Sequence, residues 1–223
     1  MDIPLFPLNT VLFPGNTIPL HIFEERYKQM IGDCIAEKRP FGVVLIREGE
    51  EVGGSAEPFE VGTTARVVEA QTLDDGKLNI TCLGLQRFRV LGIRRREPYL
   101  VGDVEILKFD DEPDGAPIAG DRELSDLAAR AGGLFAEYVR LNLALTHQWA
   151  RTIEMPSGPG HLADFIGHRL AVDLHAKQRL LEEESPRHRL QTEVDVLGEA
   201  IRLLNPRVRA ARAARWSGFG VMS

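Results

Sequence analysis

At 223 residues, 43% of them hydrophobic and 27% charged, the chain is long enough for one large or two small domains and apolar enough to fill their cores. Its 27 bases against 33 acids leave a net charge of −6, which disfavours a general binder of phosphate backbones, since that affinity comes from clustered Lys and Arg. No apolar run approaches the roughly 18 residues that a bilayer crossing needs, and two cysteines exclude a disulfide framework.

The opening MDIPLFPL carries an acid where a secretory leader has its basic region, and prolines at Pro4, Pro7 and Pro14 interrupt its apolar stretch, so nothing directs export. A soluble cytoplasmic protein is expected, with Cys34 and Cys82 reduced and packed as small core residues. The segment Leu12–Tyr27, LFPGNTIPLHIFEERY, crowds large aliphatic and aromatic side chains between prolines, and prolines lack the donors that a central sheet strand needs. A helix from about Glu24 to Glu37 follows, because Phe23, Tyr27, Met30, Ile31, Cys34 and Ile35 recur at helical spacing and Glu24 and Glu25 suit the positive end of its dipole.

Segments Phe41–Arg47, Phe59–Leu73, Lys77–Leu83, Gln86–Ile93 and Tyr99–Phe109 are rich in Val, Ile, Leu and Phe and bounded by Gly, Pro and Asp, which predicts strands. Leu78, Ile80 and Cys82 alternate with polar residues, as do Phe88 and Val90 with Arg87 and Arg89, so one face is expected to be buried and the other wet. Asp75-Gly76 between two such runs predicts an antiparallel hairpin with a type I′ turn. Short strands of this number suggest a closed or nearly closed antiparallel barrel, with the helix packed on it.

At Asp110–Gly120, DDEPDGAPIAG, periodicity stops and helical spacing replaces it, which marks a boundary. The expected organisation is a β-barrel half over 1–112, a helical bundle over 117–204 and a basic, flexible tail over 205–223. Helices are predicted at about Asp121–Trp149, at Leu162–Ala171, after a cap at Asp173 through about Glu183, and after the Ser185-Pro186 start, where Leu190, Val194, Leu197, Ile201 and Leu204 form the closing stripe.

The sequence argues against an enzyme. No G-x-x-x-x-G-K-[ST] occurs, and the Gly76-Lys77 pair belongs to the hairpin. The six serines, Ser55, Ser125, Ser157, Ser185, Ser217 and Ser223, fall in loops, caps, a helix or the tail, and none sits in G-x-S-x-G. His161, His168 and His175 recur every seven residues, but a break near Asp173 would separate them and no H-x-x-x-H occurs, so packing or surface roles are expected. Neither cysteine has a sequence-adjacent cation to activate it. No catalytic residue, metal or cofactor is expected.

The blocks LFPLNTVLFPGNTIPLHIFEERYKQM, FGVVLI, VGTTARVVEAQTLDDGKLNITCLGLQRFRV and PYLVGDVE, over roughly residues 3–107, resemble the amino-terminal domain of Lon-type ATP-dependent proteases. The helical remainder, including LADFIGHRLAVDLHAKQRLLE, is similar to that domain's helical part through about Leu204. The resemblance implies an α+β fold, a PUA-like antiparallel β-barrel with one inserted helix followed by an α-helical bundle. It also implies a non-catalytic module that recognises unfolded or tagged polypeptides, alone or for a protease or chaperone, without the ATPase and serine–lysine peptidase of the full proteases. The alternative is an RNA-binding PUA-like module, against which stand 20 acids and 13 bases in residues 1–116. The sequence sets no oligomeric state.

Two regions could bind a partner. Within Leu12–Tyr27, most residues could build the barrel seam, with Gly15 in a turn; alternatively Phe13, Phe23 and Tyr27, rimmed by Glu24, Glu25 and Arg26, could form a shallow peptide site, apolar anchors ringed by charge. In the tail, Arg209, Arg212 and Arg215 with Trp216 and Phe219 read either as a connector or as a docking segment.

Overall fold

The computed structural model describes residues 1–52, 56–107 and 121–217, the side chains of 215–217 excepted. The boundary stretch Asp110–Gly120, Ser55, Phe219 and Ser223 lie outside them. The chain divides into two units, Met1–Asp111 with Gly167–Glu184, and Glu112–Ile166 with Ser185–Ser223.

In the first unit, β1 (Asp2–Leu8), β2 (Thr17–Ile22), α1 (Glu25–Ala36), β3 (Phe41–Glu48), β4 (Glu57–Thr72), β5 (Leu78–Arg95) and β6 (Val101–Ile106) follow one another. The order β2-β5-β4-β3-β1-β6, with β6 pairing back onto β5, closes a five-strand ring and leaves β2 outside it as an edge. Closure removes the unpaired backbone of an open sheet. The barrel is not wholly antiparallel, because β1 runs parallel to β3. Sequence reasoning misses β1, since prolines argue against a central strand; the strand forms because it divides its partners, Asp2–Pro4 pairing with β6 and Leu5–Leu8 with β3.

The two runs over Lys77–Ile93 form one long strand, whose first part pairs with β2 and β4 and whose second part reaches β6. The β4–β5 hairpin exists, but its turn is longer than the type I′ the Asp-Gly pair predicts: Gly76 N–H donates to the Leu73 carbonyl at 2.9 Å, and of the turn residues only Gly76 takes a positive φ, +76°. Two clusters fill the unit. Phe6, Phe41, Ala65, Ile80 and Cys82 meet Tyr27, Met30, Ile31 and Cys34 of α1, while Ile3, Leu5, Val44, Phe88, Leu100 and Val104 form the other.

The segment Gly167–Glu184 carries α4 (Leu174–Glu182) and clusters with the barrel, which corrects the expected 117–204 bundle. A 3.6-residue period reveals a helix but not which core it faces. Gln178 Nε2 donates to the Val61 carbonyl at 2.9 Å, Arg169 Nη1 to Asn16 Oδ1 at 2.6 Å, and Arg87 Nη1 to the carbonyls of Leu181 and Glu183 at 2.8 and 2.7 Å. Arg87 is therefore 2% exposed, on a strand face the alternation marks as wet. The Asp173 cap forms as expected, accepting the Ala176 N–H at 2.8 Å.

The second unit is helical. Asp121 caps α2 (Arg122–Leu145) by accepting the Leu124 N–H at 2.9 Å. Its Leu124, Ala131 and Phe135 are buried, as are Leu162 and Ile166 of α3 (Pro159–Arg169) and Leu190, Val194, Leu197, Ile201 and Leu204 of α5 (Pro186–Ser217). The predicted end at Leu204 and flexible tail from 205 need correction, because α5 continues through Pro206. Proline removes one donor and bends a helix without always ending it, and buried Val208 carries the apolar stripe one step further.

This unit encloses charge. Arg189 pairs with Asp164, and both are buried with Glu193, whose carboxylate oxygens meet no hydrogen-bond partner among the described residues. Burial pushes the Glu193 carboxyl up to about 9, against the opposing pull of Arg189. The unfolded chain releases this proton near the ordinary carboxylate value, whereas the folded chain keeps it until about pH 9. Stability is therefore expected to fall as pH rises between those limits, by at most about 1.4 kcal/mol per pH unit. Glu193→Gln should flatten that slope and be the more stable protein at pH 8.5, measured by urea unfolding at pH 5.5 and 8.5; parallel slopes would assign the effect to another group.

Candidate functional site

The predicted peptide-site residues separate into two sets. Phe13 is fully buried, because the loop before β2 is stitched to the barrel: Gly15 N–H donates to the Gly84 carbonyl, Gly84 N–H to that of Asn16, and the Thr63 hydroxyl to that of Leu12. Gly15 makes the expected turn there with φ +71°. Tyr27 is 5% exposed and stacks on Phe6 with ring centroids 4.1 Å apart. Burial pushes its hydroxyl pKa up. Both are core residues, which corrects their assignment as binding anchors; helical spacing identifies a buried face, and Tyr27 lies on it.

Phe23 stays at the surface, 45% exposed, its ring centroid 6.1 Å from that of His21, which in turn bonds Asn79 Oδ1 at 2.7 Å. The charged rim is present but internally paired. Arg26 meets Glu24 at 2.9 Å and lies over the Tyr27 ring, while Lys28 meets Glu25 at 2.8 Å. Such surface pairs are worth about 0–1 kcal/mol each.

Other exposed apolar residues lie on the same unit, among them Ile35 near the end of α1, which helical spacing groups with the buried stripe but which is 44% exposed, and Val68 on β4, also 44% exposed. A depression of about 400 Å³ between the end of α1 and β4 is lined by Ile35, Lys38, Arg39, Arg66, Val68 and Ala70. A second, of about 470 Å³, shares Glu69 and Ala70 with it and continues over Thr81 and Asn79 to Pro19 and His21 of β2. Sequence spacing finds Phe23 because it precedes the helix, but Val68 sits at a register shift between Val67 and Glu69 that breaks the alternation.

The second unit offers a separate groove of about 780 Å³, where Leu124, Ala128 and Gly132 of α2 face Ile153, Met155 and Leu162. Ser157 lines it. Among the described residues no group of three or more His, Cys, Asp or Glu is placed to hold a metal ion. His161 and His168 lie on α3 and His175 on α4. His168 packs edge-on to Phe13, and burial, with Lys177 and Arg169 nearby, brings its pKa down to about 4. Burial raises the Cys34 thiol to about 11, although Arg39, just past the end of the same helix, opposes it; burial takes Cys82 to about 12. Both thiols are thus protonated and buried, as core residues are.

A small closed barrel with one inserted helix, followed by helices, defines a mixed α+β domain. The chain belongs to the family of ATP-dependent protease La (LON) substrate-binding domains, whose family model matches residues 2–199. It is 30% identical over 204 residues to a Lon protease of Anaeromyxobacter dehalogenans, covering 91% of this chain and 24% of that protein, and 25% identical over 214 residues to the Lon protease of Escherichia coli, covering 92% and 26%. The chain thus spans about a quarter of the length of the curated relatives it matches. Among solved structures it resembles a Lon N-terminal domain protein from Xanthomonas campestris, with TM-score 0.62, 30% identity, and coverage of 86% of this chain and 96% of that one. The N-terminal domain of a Mycobacterium avium complex Lon protease has the same fold, with TM-score 0.64 at 17% identity and coverage of 89% and 98%. No helix among the described residues is long and apolar enough to cross a membrane.

Proposed function

We propose that this chain is a non-catalytic module that binds unfolded or tagged polypeptide in the cytoplasm and can present it to a protease or chaperone. Membership of a substrate-binding domain family supports this reading, and one observation carries it: Phe23, Ile35 and Val68 remain 44–45% exposed on a unit that buries most of its other large apolar side chains. Apolar anchors with charge around them suit unfolded chains, which present apolar side chains without a fixed partner. The matched region lies within the substrate-binding part of its relatives, and no nucleotide or peptidase chemistry enters the proposal.

The test uses reduced, alkylated lysozyme, a permanently unfolded and basic probe, labelled for fluorescence anisotropy. Phe23→Ala should weaken its binding about tenfold or more, equivalent to about 1.4 kcal/mol, with an unchanged melting temperature because the ring leaves no core cavity. Phe13→Ala should behave oppositely and cost about 3–5 kcal/mol of stability. No binding by the parent protein would overturn the reading; unchanged binding by Phe23→Ala would move the site to the α2 groove.

A further inference from the structure

The free edge of β4 is the feature that the exposed apolar residues do not account for. Through Ala65 the strand is paired on both sides, with Phe41 of β3 as the last partner on one of them. From Arg66 to Thr72 it pairs only with β5, over Arg66↔Leu83 to Thr72↔Leu78, so among the described residues the other edge of seven residues has no strand against it. On either side of the register shift between Val67 and Glu69, this edge presents alternate N–H and C=O groups to an added strand. The edge of β2 is the weaker template, because Pro19 lies at its middle without a donor.

The 400 Å³ depression borders the β4 edge, and its charge is not balanced. Lys38, Arg39 and Arg66 line it with one acid, Glu69. Arg39 is engaged by Glu37 at 2.8 Å, whereas Lys38 and Arg66 have no ion-pair partner among the described residues. This bias lies in a half of the chain where acids outnumber bases. Lys38 is also held at φ +52°, where glycine is the ordinary occupant. Its N–H donates to the Ile35 carbonyl and that of Arg39 to the Cys34 carbonyl, the Schellman arrangement that ends α1. A lysine there accepts an unfavourable backbone in exchange for a cation beside the groove.

We propose that β4 over Arg66–Thr72 captures an extended polypeptide segment by strand addition, and that the segment carries apolar and acidic residues two apart, so that both face the depression. Its apolar side chains rest on Ile35 and Val68, and its carboxylates meet Lys38 and Arg66. Charges on the edge discourage a second copy of the same strand from pairing there, since Glu69, at the centre of Arg66–Thr72, would face its own copy in an antiparallel self-paired edge. This inference rests on the polypeptide-binding reading and adds the backbone mode and the charge preference.

Three fluorescein-labelled hexapeptides test it on the whole chain: Val-Val-Glu-Glu-Val-Val, its Lys counterpart Val-Val-Lys-Lys-Val-Val, and the Val–Glu peptide with alternate backbone amides N-methylated, prepared in both phases. The Val–Glu peptide should bind at least tenfold more tightly than the Val–Lys peptide. Methylation in one phase should abolish binding and in the other should be tolerated, because an added strand uses the amides on one side only. The double variant Lys38→Gly, Arg66→Ser should lose at least tenfold in affinity while its melting temperature holds or rises, glycine being at ease at φ +52°. Equal affinity for the Glu and Lys peptides, tolerance of methylation in both phases, or unchanged binding by the double variant would each overturn the inference. If alkylated lysozyme binds and the Val–Glu peptide does not, strand addition falls while polypeptide recognition stands; if neither binds, both fall.

Discussion

Gly42→Ala and Gly62→Ala should both destabilise the barrel, but a smaller residue at Phe88 should rescue only the first. Phe88 is fully buried and reaches across to β3 and β4, where these two glycines make room for its ring. A Cβ at position 42 would lie 2.5 Å from Phe88 Cζ and 2.8 Å from Leu5 Cδ2, both of them side-chain ends. A Cβ at position 62 would meet the same ring at 2.8 Å, but also the Val43 carbonyl oxygen, which is held in the β3–β4 ladder and cannot turn away. Overpacking of this kind costs typically about 1–3 kcal/mol and sometimes more. Phe88→Leu alone should cost less than the roughly 3–5 kcal/mol of Phe88→Ala. In urea unfolding, Gly42→Ala with Phe88→Leu should therefore be more stable than the sum of the single losses by about 1 kcal/mol or more, while Gly62→Ala with Phe88→Leu should be additive within about 0.5 kcal/mol. Equal rescue at both positions would mean that the backbone at Val43 yields, and that the barrel is softer than its closed ladder implies.

Much of this architecture is legible in residue order. The alternation of Ile80 and Cys82, the helical spacing of Tyr27, Met30, Ile31 and Cys34, and the Asp173 cap each correspond to an element found where the pattern places it. What is not legible depends on contacts distant in sequence. No strand is predicted around Pro4 and Pro7, yet β1 forms there and changes partners along its length. Phe13 and Phe23 look equivalent, each an aromatic beside a proline-rich run, yet Gly84 and Thr63, seventy and fifty residues away in round terms, hold the loop around one and leave the other outside. The β4 edge has no local signal at all, because an edge is defined by where its neighbour stops, here Phe41.

Arg87 is the case where local pattern and tertiary context disagree most, and its removal is the second large effect expected. Alternation with Phe88 places it on the outward face of β5, where water would be assumed, but α4 covers that face and the guanidinium is 2% exposed. One amino group, Nη1, donates to two carbonyls at the end of α4, those of Leu181 and Glu183. The last carbonyls of a helix lack intrahelical donors and carry the negative end of its dipole, so a cation there satisfies both needs. Replacing a buried pair of side chains by apolar ones can be neutral, because both charges leave together. Here the acceptors belong to the backbone and stay behind. Arg87→Met therefore strands them, and two charge-assisted bonds at about 1.5–3 kcal/mol each predict a loss of about 3–6 kcal/mol. Arg87→Lys keeps the charge and should recover part of that loss, since a flexible ammonium can serve one carbonyl without the fixed fork of the guanidinium. The location of the damage separates this account from general core disruption: hydrogen exchange should accelerate over Leu174–Glu182 in both variants, and more in Arg87→Met, before it accelerates in β1 or β3. Uniform acceleration across the barrel would show that Arg87 supports the strands themselves and that α4 gains little from it.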